Sequence, residues 1–380
     1  MTLVIQDELT KQLLPIAECV QALEDSIIDF DLGVAHNWPS RIRLASPSAN
    51  PDIDYRTNIH IGMSPRHNTS AVRVGQFRIV DGGGMTTDQH LNRSWGLVYL
   101  YSLETAELLA IINEFTLSGI RVAATDGVAA KHLAREDAST VGQFGSGKIA
   151  RSDLEAMCVA RPIRKVKVFS PNAEHRTEYA REMSESLGIE VIPVDEPREV
   201  VRGVDIVCCS SGARAPVFDG NWLEPGQLVT CIVNRGGPPN IKPTRAELAR
   251  GWVPPPRSNE ITIEADETSM ARAAAIVILS ESLVINEEHA SILGPIERGV
   301  FTWDKVFELG AVARGAIQAR QAPDDIICFF NTGGLGIQMA AAGAVMYKNA
   351  LAQEVGERLP TEWFGADLSW WTDRGYHPSG

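Results

Sequence analysis

A chain of 380 residues exceeds one typical domain, so two domains sharing an interface are the first expectation. Its 35 lysines and arginines against 48 acids leave a formal charge of -13, which repels phosphate backbones and anionic membranes and argues against a nucleic-acid partner. No apolar run nears the roughly 20 residues of a membrane span, no signal-peptide core opens the chain, and six cysteines without CxxC spacing suit a reduced, cytoplasmic protein with no metal framework.

Apolar positions at helical spacing, Leu13, Leu14, Ile16, Val20, Leu23, Ile27 and Ile28, predict an amphipathic helix over residues 8–30. From 37 to 100, proline, glycine, asparagine and serine punctuate alternating segments such as AVRVGQFRIV and SWGLVYLYS, with Gly82, Gly83 and Gly84 as a break. Antiparallel strands and turns are expected there. A helix rich in small residues is expected over about 116–134. Between 139 and 235, the apolar segments TVGQFG, KVKVFS, IEVIPV, DIVCCSS and LVTCIV alternate with helical or loop stretches. That rhythm predicts a parallel, doubly wound sheet. PPPRS at 254–258 is a stiff break ahead of another strand, AAIVILS, and the stretch from about 313 to 350 reads as helix around the turn NTGGLG.

The sharpest local signal is a GxGxxA, Gly145-Ser146-Gly147-Lys148-Ile149-Ala150, between a predicted strand and a predicted helix. In that order Gly145 permits the tight turn, Gly147 lets a pyrophosphate approach the backbone, and Ala150 keeps the helix close to the sheet. The helix N-terminus offers unpaired N–H groups to the phosphates. NAD sites place an acid at the end of the next strand, whereas NADP sites replace it with donors or cations. Here that strand runs into Ser170, Pro171 and Asn172, with Glu174, His175 and Arg176 beyond. NADP is favoured over NAD.

GSGKIARSDLEAMCVARPIRKVKVFSPN resembles the core of the ornithine cyclodeaminase and mu-crystallin family. RIRLASPS, FTLSGIRVAATDGVAAKHLARED, VDIVCCSSGARAPVFDGNWLEPGQLV and the closing segment that ends in NTGGLGIQMAAA resemble further family blocks in the same order. The resemblance implies an α/β protein with a central Rossmann domain (123–315), set within an α+β substrate-binding and dimerisation domain made of residues 1–122 and 316–380. It implies cofactor contacts from Gly145, Ser146, Gly147, Lys148, Ile149, Ser170, Asn172, Arg176, Ser210, Ser211 and Asn331. Substrates of such proteins are amino or imino acids, and Arg43 and Arg121 fall where the family keeps its carboxylate-binding arginines. Arginine suits that task because its planar fork binds a carboxylate through two hydrogen bonds.

Two departures accompany the resemblance. The family carries a substrate-site lysine on an early strand, but residues 12–130 contain no lysine. Arg78 is the nearest substitute and Arg73 a weaker one; either can anchor an anion but not act as a base. The aspartate of the family pattern after the fifth strand falls on Asn234 or Arg235, neither of which accepts a proton near neutral pH. The stretches 47–70 and 236–270 read as long loops bordering the cleft. His60, His67, Asp81 and His90 read as solvated loop polars, Glu287-Glu288-His289 as an exposed face, and Trp370 and Trp371 as packing or dimer contacts. The expected function is an NAD(P)-dependent oxidoreductase acting by hydride transfer at the α-carbon of an amino or imino acid, in a homodimer, with Arg78, Asn234 and Arg235 as candidate catalytic groups. The alternatives are a cyclodeaminase-type lyase that recycles its NAD internally, on ornithine or another amino acid, and an NADPH-binding protein without catalysis.

Overall fold

Alternation of period two shapes the first part of the chain. In Trp95–Ser102 every second residue is buried, and Leu108–Asn113 continues the pattern. Eight strands arise here: β1 (Thr2–Ile5), β2 (His36–Asn37), β3 (Ile42–Pro47), β4 (Ile53–Ser64), β5 (Thr69–Val80), β6 (Gly84–Thr86), β7 (Trp95–Ser102) and β8 (Leu108–Asn113). The computed structural model describes residues 1–38, 41–47, 53–80, 84–86, 95–213, 215–232, 234–235, 262–287 and 289–367. The strands form one mainly antiparallel sheet, ordered β1-β8-β7-β5-β4-β2, with β3 also on β4 and β6 on β5.

Half of the segment expected as a long loop at 47–70 is β4, paired with β5 along its whole length. Its inward face carries His60, Gly62 and Ser64 instead of apolar residues, so the strand reads as polar loop in the sequence. From the far end of the chain α5 (Gly336–Gln353) covers that face, and α1 (Ile16–Asp31) packs against α5. The expected first helix is interrupted at Pro15, which breaks a short turn at Thr10–Leu13 from α1. Leu23, Ile27, Leu100, Ile112, Ile337 and Met346 pack into one core.

Between the sheets lies α2 (Glu114–Leu133). Asn113 caps it by accepting from the Phe115 N–H, and the Asp7 carboxylate accepts from the Thr116 N–H at 2.7 Å. Small residues line its flanks, and a side chain on Gly127 would meet Val20 and Ala156.

The parallel sheet follows, with β9 (Thr140–Phe144), α3 (Lys148–Ala160), β10 (Lys165–Phe169), α4 (Ala173–Leu187), β11 (Glu190–Pro193), β12 (Ile206–Cys209) and β13 (Leu228–Cys231). A separate two-stranded pair, β14 (Asn234–Arg235) and β15 (Thr262–Ile263), precedes β16 (Ala275–Ile278), β17 (Val306–Glu308) and β18 (Ile327–Phe330). The sheet order is β11-β10-β9-β12-β13-β18-β16-β17. Strand β12 is buried along its length, with Ile206 and Cys208 in one core and Val207 and Cys209 in the other. A sheet covered on both faces requires that.

Residues 327–330, expected as helix, are a central strand of this sheet and lie beyond the expected boundary at 315. ICFF is an apolar run too short to show either period, and its pairing with β13 and β16 decides its state. The chain then returns to the first sheet, where β19 (Glu357–Leu359) pairs antiparallel with β1. All six cysteines are free thiols. No helix among the described residues is long and apolar enough to cross a membrane. The break at 254–258, Gly82, Gly83, Asp81, His90, Glu288, Trp370 and Trp371 lie outside the described residues.

The crossing of α5 over β4 is backbone against backbone. A Cβ on Gly62 would sit 2.1 Å from the Ile337 nitrogen, and one on Gly336 would sit 2.1 Å from the Ile61 carbonyl carbon. Because the clashing atoms cannot rotate away, Gly62→Ala is expected to cost about 3 kcal/mol, the upper end for overpacking, read as a lower midpoint of thermal unfolding.

Candidate functional site

The strand order reverses between β9 and β12, where a doubly wound sheet opens a crevice at its C-terminal edge. Gly145 leaves β9 there with φ +102, and a Cβ on it would lie 2.4 Å from the Ser210 carbonyl oxygen. Only glycine tolerates both conditions. Gly147 differs. Its φ of -83 is ordinary and no described residue lies within 4 Å of a Cβ built on it, so none of them requires glycine there. The open space faces the uncapped N-terminus of α3, whose first N–H groups suit a phosphate. These residues fit a dinucleotide's pyrophosphate.

Around the loop, the Ser146 hydroxyl donates to Ser170 Oγ at 2.9 Å, and Ser170 donates on to the Asn172 carbonyl. Asn172 caps α4 by accepting from the His175 N–H. Arg176 donates to the Ser170 carbonyl at 3.1 Å and to Asp195 at 2.5 Å. Across the crevice the Ser210 N–H donates to the Phe144 carbonyl, while Ser211 donates through its N–H and hydroxyl to the buried Glu264. The Asn331 N–H donates to the Cys231 carbonyl at the end of β13. Ala150 is buried, its carbonyl accepting from the Tyr179 hydroxyl, and Ile149 is half-buried. Lys148 points elsewhere than the loop: Nζ donates to Thr116 Oγ1 at 2.9 Å and lies 3.8 Å over the Phe115 ring.

A second constellation is electrostatic. Arg121 is 6% exposed on α2, and Arg73, Arg41 and Glu114 act on its charge. Burial, then the Arg73 guanidinium, pull Arg121 down to about 9. Arg73 is held in a two-point pair by Glu114, both contacts 2.9 Å, and Gly96 on β7 leaves room for that carboxylate. Arg73 also lies 3.1 Å from His60 Nδ1. A guanidinium only donates, so this nitrogen accepts. Arg41 donates through its N–H and side chain to the buried Glu287. Arg121 alone of the three has no carboxylate in contact among the described residues. Its Nη1 donates to Gln338 at 3.3 Å, its Nε has no partner, and Gly334 lets it lie against the loop backbone. That loop, 331–336, runs from the crevice at Asn331 to the guanidinium.

The candidate residues are thus partly gathered. Ser146, Ser170, Asn172 and Arg176 form one chain of contacts beside Gly145 and Gly147, with Ser210, Ser211 and Asn331 across the crevice. Arg78 stands apart from Arg73. It lies five residues further along β5, opposite the exposed Tyr55, and strand alternation turns it to the other face of the sheet. In the register Arg43 stands opposite Asn58, and Asn234 and Arg235 pair with Ile263 and Thr262. No residue pattern singles out Arg41 or Glu114. His60 is buried on β4 and is not a solvated loop residue, and Glu287 and His289 are buried instead of forming an exposed face. Nothing local distinguishes Arg41 from Arg43, two residues away. No group of three ligating side chains that would hold a metal occurs among the described residues.

Together the crevice and fold define a Rossmann-type protein with an appended α+β layer and a buried arginine beside the crevice. Residues 2–240 match the ornithine cyclodeaminase/mu-crystallin family, and the chain belongs to that family. It is 26% identical to an uncharacterized cyclodeaminase of Sinorhizobium fredii over 91% of this chain and 95% of that protein. It is 27% identical to a Delta(1)-pyrroline-2-carboxylate reductase of Bacillus cereus over 70% of this chain and 74% of that one. In fold it resembles Thermococcus litoralis Delta(1)-pyrroline-2-carboxylate reductase, solved with NADH and L-proline, with a TM-score of 0.77 at 24% identity, covering 94% of this chain and 100% of that chain.

Glu114 compensates a buried guanidinium, so its loss leaves like charges facing each other in a dry interior. Glu114→Ala is expected to cost about 3–5 kcal/mol, measured by chemical denaturation, with Glu114→Gln losing less.

Proposed function

We propose that the protein is an NAD(P)-dependent oxidoreductase that transfers hydride at the α-carbon of a small amino or imino acid. The observation that carries this reading is Arg121, a buried guanidinium without a contacting carboxylate among the described residues, beside a dinucleotide-type crevice. A buried cation is costly unless an anion answers it, and a substrate carboxylate supplies that anion. A bound nicotinamide dinucleotide would supply or accept the hydride. The remaining work belongs to the chain's own groups. Gly145, Ser146, Gly147 and the α3 N-terminus hold the pyrophosphate, and Ser210, Ser211 and Asn331 border the opposite wall. Arg121 holds the carboxylate, while Glu114 and His60 fix Arg73 behind it. Arg43, Asn234 and Arg235 edge the substrate. Neither Asn234 nor Arg235 takes up a proton near neutral pH, so positioning and charge carry the rate. Ser170, Pro171 and Asn172, none of them an acid, directly follow Phe169 at the end of β10, and Arg176 donates to the Ser170 carbonyl, which supports NADP over NAD.

The substrate-binding part in this reading comprises residues up to about 122 and from about 331, with the dinucleotide-binding part between them. Two copies pair through the outer face of the antiparallel sheet, where Tyr55, Met63 and Trp95 are exposed; sedimentation at twice the chain mass would support this. The likeness to a cyclodeaminase favours a second reading, a redox-neutral lyase. Ammonia release without net absorbance change at the nicotinamide band separates it from the first.

Fluorescence titration with NADH and NADPH is the direct test, and binding of neither sinks the proposal. Gly147→Ala is expected to unfold at the native temperature, because its Cβ meets no described residue, yet to lose dinucleotide affinity. Arg121→Met is expected to raise KM for the amino or imino acid about ten- to a hundredfold, the worth of a charge-assisted pair, with dinucleotide affinity unchanged.

A further inference from the structure

Asp126 on α2 and Asp153 on α3 are both wholly excluded from solvent, and no lysine or arginine pairs with either among the described residues. Their carboxyl groups adjoin, and each acts on the other's ionisation. Asp126 Oδ2 and Asp153 Oδ1 have no hydrogen-bond partner among the described residues, which leaves them free to share a proton. Two carboxylates in contact in an apolar interior cannot both stay ionised, and one proton must lie between them.

The other oxygen of each acid is engaged at the crevice. Asn331 Nδ2 donates to Asp126 Oδ1 at 3.2 Å and to the Val122 carbonyl at 3.2 Å. The Ser210 hydroxyl donates to Asp153 Oδ2, and Gln143 Nε2 donates to Ser210 Oγ at 3.2 Å. Asn331 follows β18 and Ser210 follows β12, so both stand at the C-terminal edge of the parallel sheet. One buried pair therefore fixes two side chains that border the crevice and ties α2 to the helix of the glycine loop.

We infer that Asp126 and Asp153 are positioning residues, which hold Asn331 and Ser210 for the dinucleotide through one shared proton, so that binding weakens when that proton is lost. The inference rests on the dinucleotide-binding reading above. Burial, then the Asp153 charge, raise Asp126 well above the carboxylate range, and burial takes Asp153 to about 7. Glu264 is the other acid facing the pair, and its charge opposes the second ionisation. Cys208 and Tyr179 also face it, both pushed up by burial and so neutral, together with the buried thiol of Cys231. Both acids are raised in the folded state, so the stability they contribute is full below the unfolded carboxylate range of about 4; it falls as Asp153 ionises near about 7, which leaves the one shared proton, and falls further as that proton leaves at higher pH.

The test is NADPH and NADH affinity measured by fluorescence from about pH 6 to 9.5, alongside thermal unfolding of the unliganded protein over the same range. The native dissociation constant should rise with pH, approaching about tenfold per unit once the shared proton leaves, and the unfolding midpoint should fall. In Asp126→Asn an amide replaces the protonated acid and both profiles should flatten. Asp126→Leu, with no polar atom, should bind more weakly at every pH, which a flat but well-positioned Asn variant does not. A native slope that persists in Asp126→Asn overturns the shared proton, and a native profile flat in both readouts does the same. Absence of dinucleotide binding at every pH instead overturns the oxidoreductase reading and the positioning role with it. The midpoint profiles still report on the proton in that case.

Discussion

A single helix, α2, carries the polar side chains of Glu114, Arg121 and Asp126 into the interior between two sheets, and each is met from a different part of the chain. Unanswered, a buried charge costs several kcal/mol, comparable to a large share of a domain's net stability. Arg73 on β5 answers Glu114, Gln338 on α5 approaches Arg121, and Asp153 with Asn331 answers Asp126. Those partners come from the antiparallel sheet, the closing helix and the parallel sheet respectively. Satisfying one helix therefore fixes how the two sheets stand, and the crevice and the arginine cluster meet along its length.

The parts legible in the sequence are those whose signals are local. The glycine loop declares itself because strand, turn and helix follow within a few residues, and the turn at Gly145 accepts no other side chain. The parallel strands are legible as short apolar runs spaced by helices. The amphipathic face of α1 and the alternation of β7 each need only one element's own periodicity.

What escaped notice depends on contacts distant in the chain. β4 hides polar residues on its inner face because that face lines a charged site, so its pattern mimics a loop. Arg73 and Arg78 are equivalent as residue types; their odd spacing on β5 puts them on two faces, and only the packing of the sheet against the helices decides which face is buried. Arg41 gains its partner from Glu287, 246 positions away. Asp126 sits in a run of small residues, AATDGVAA, that reads as close helix packing, and nothing nearby shows that a second acid waits on α3. β18 became a strand only because β13 and β16 leave a vacant lane between them.

The pairing of β19 with β1 bears on how the molecule is assembled. Strand β1 lies between β8 and β19, and α5, which roofs the same sheet, is built from residues 336–353. On a chain emerging from the ribosome N-terminus first, the antiparallel layer waits with its apolar face uncovered while the parallel layer is synthesised. The parallel sheet receives its central strand β18 only a few residues before α5 begins. The layer begun first is thus completed last, and the earliest strands are the ones that must be kept from pairing with other chains in the meantime.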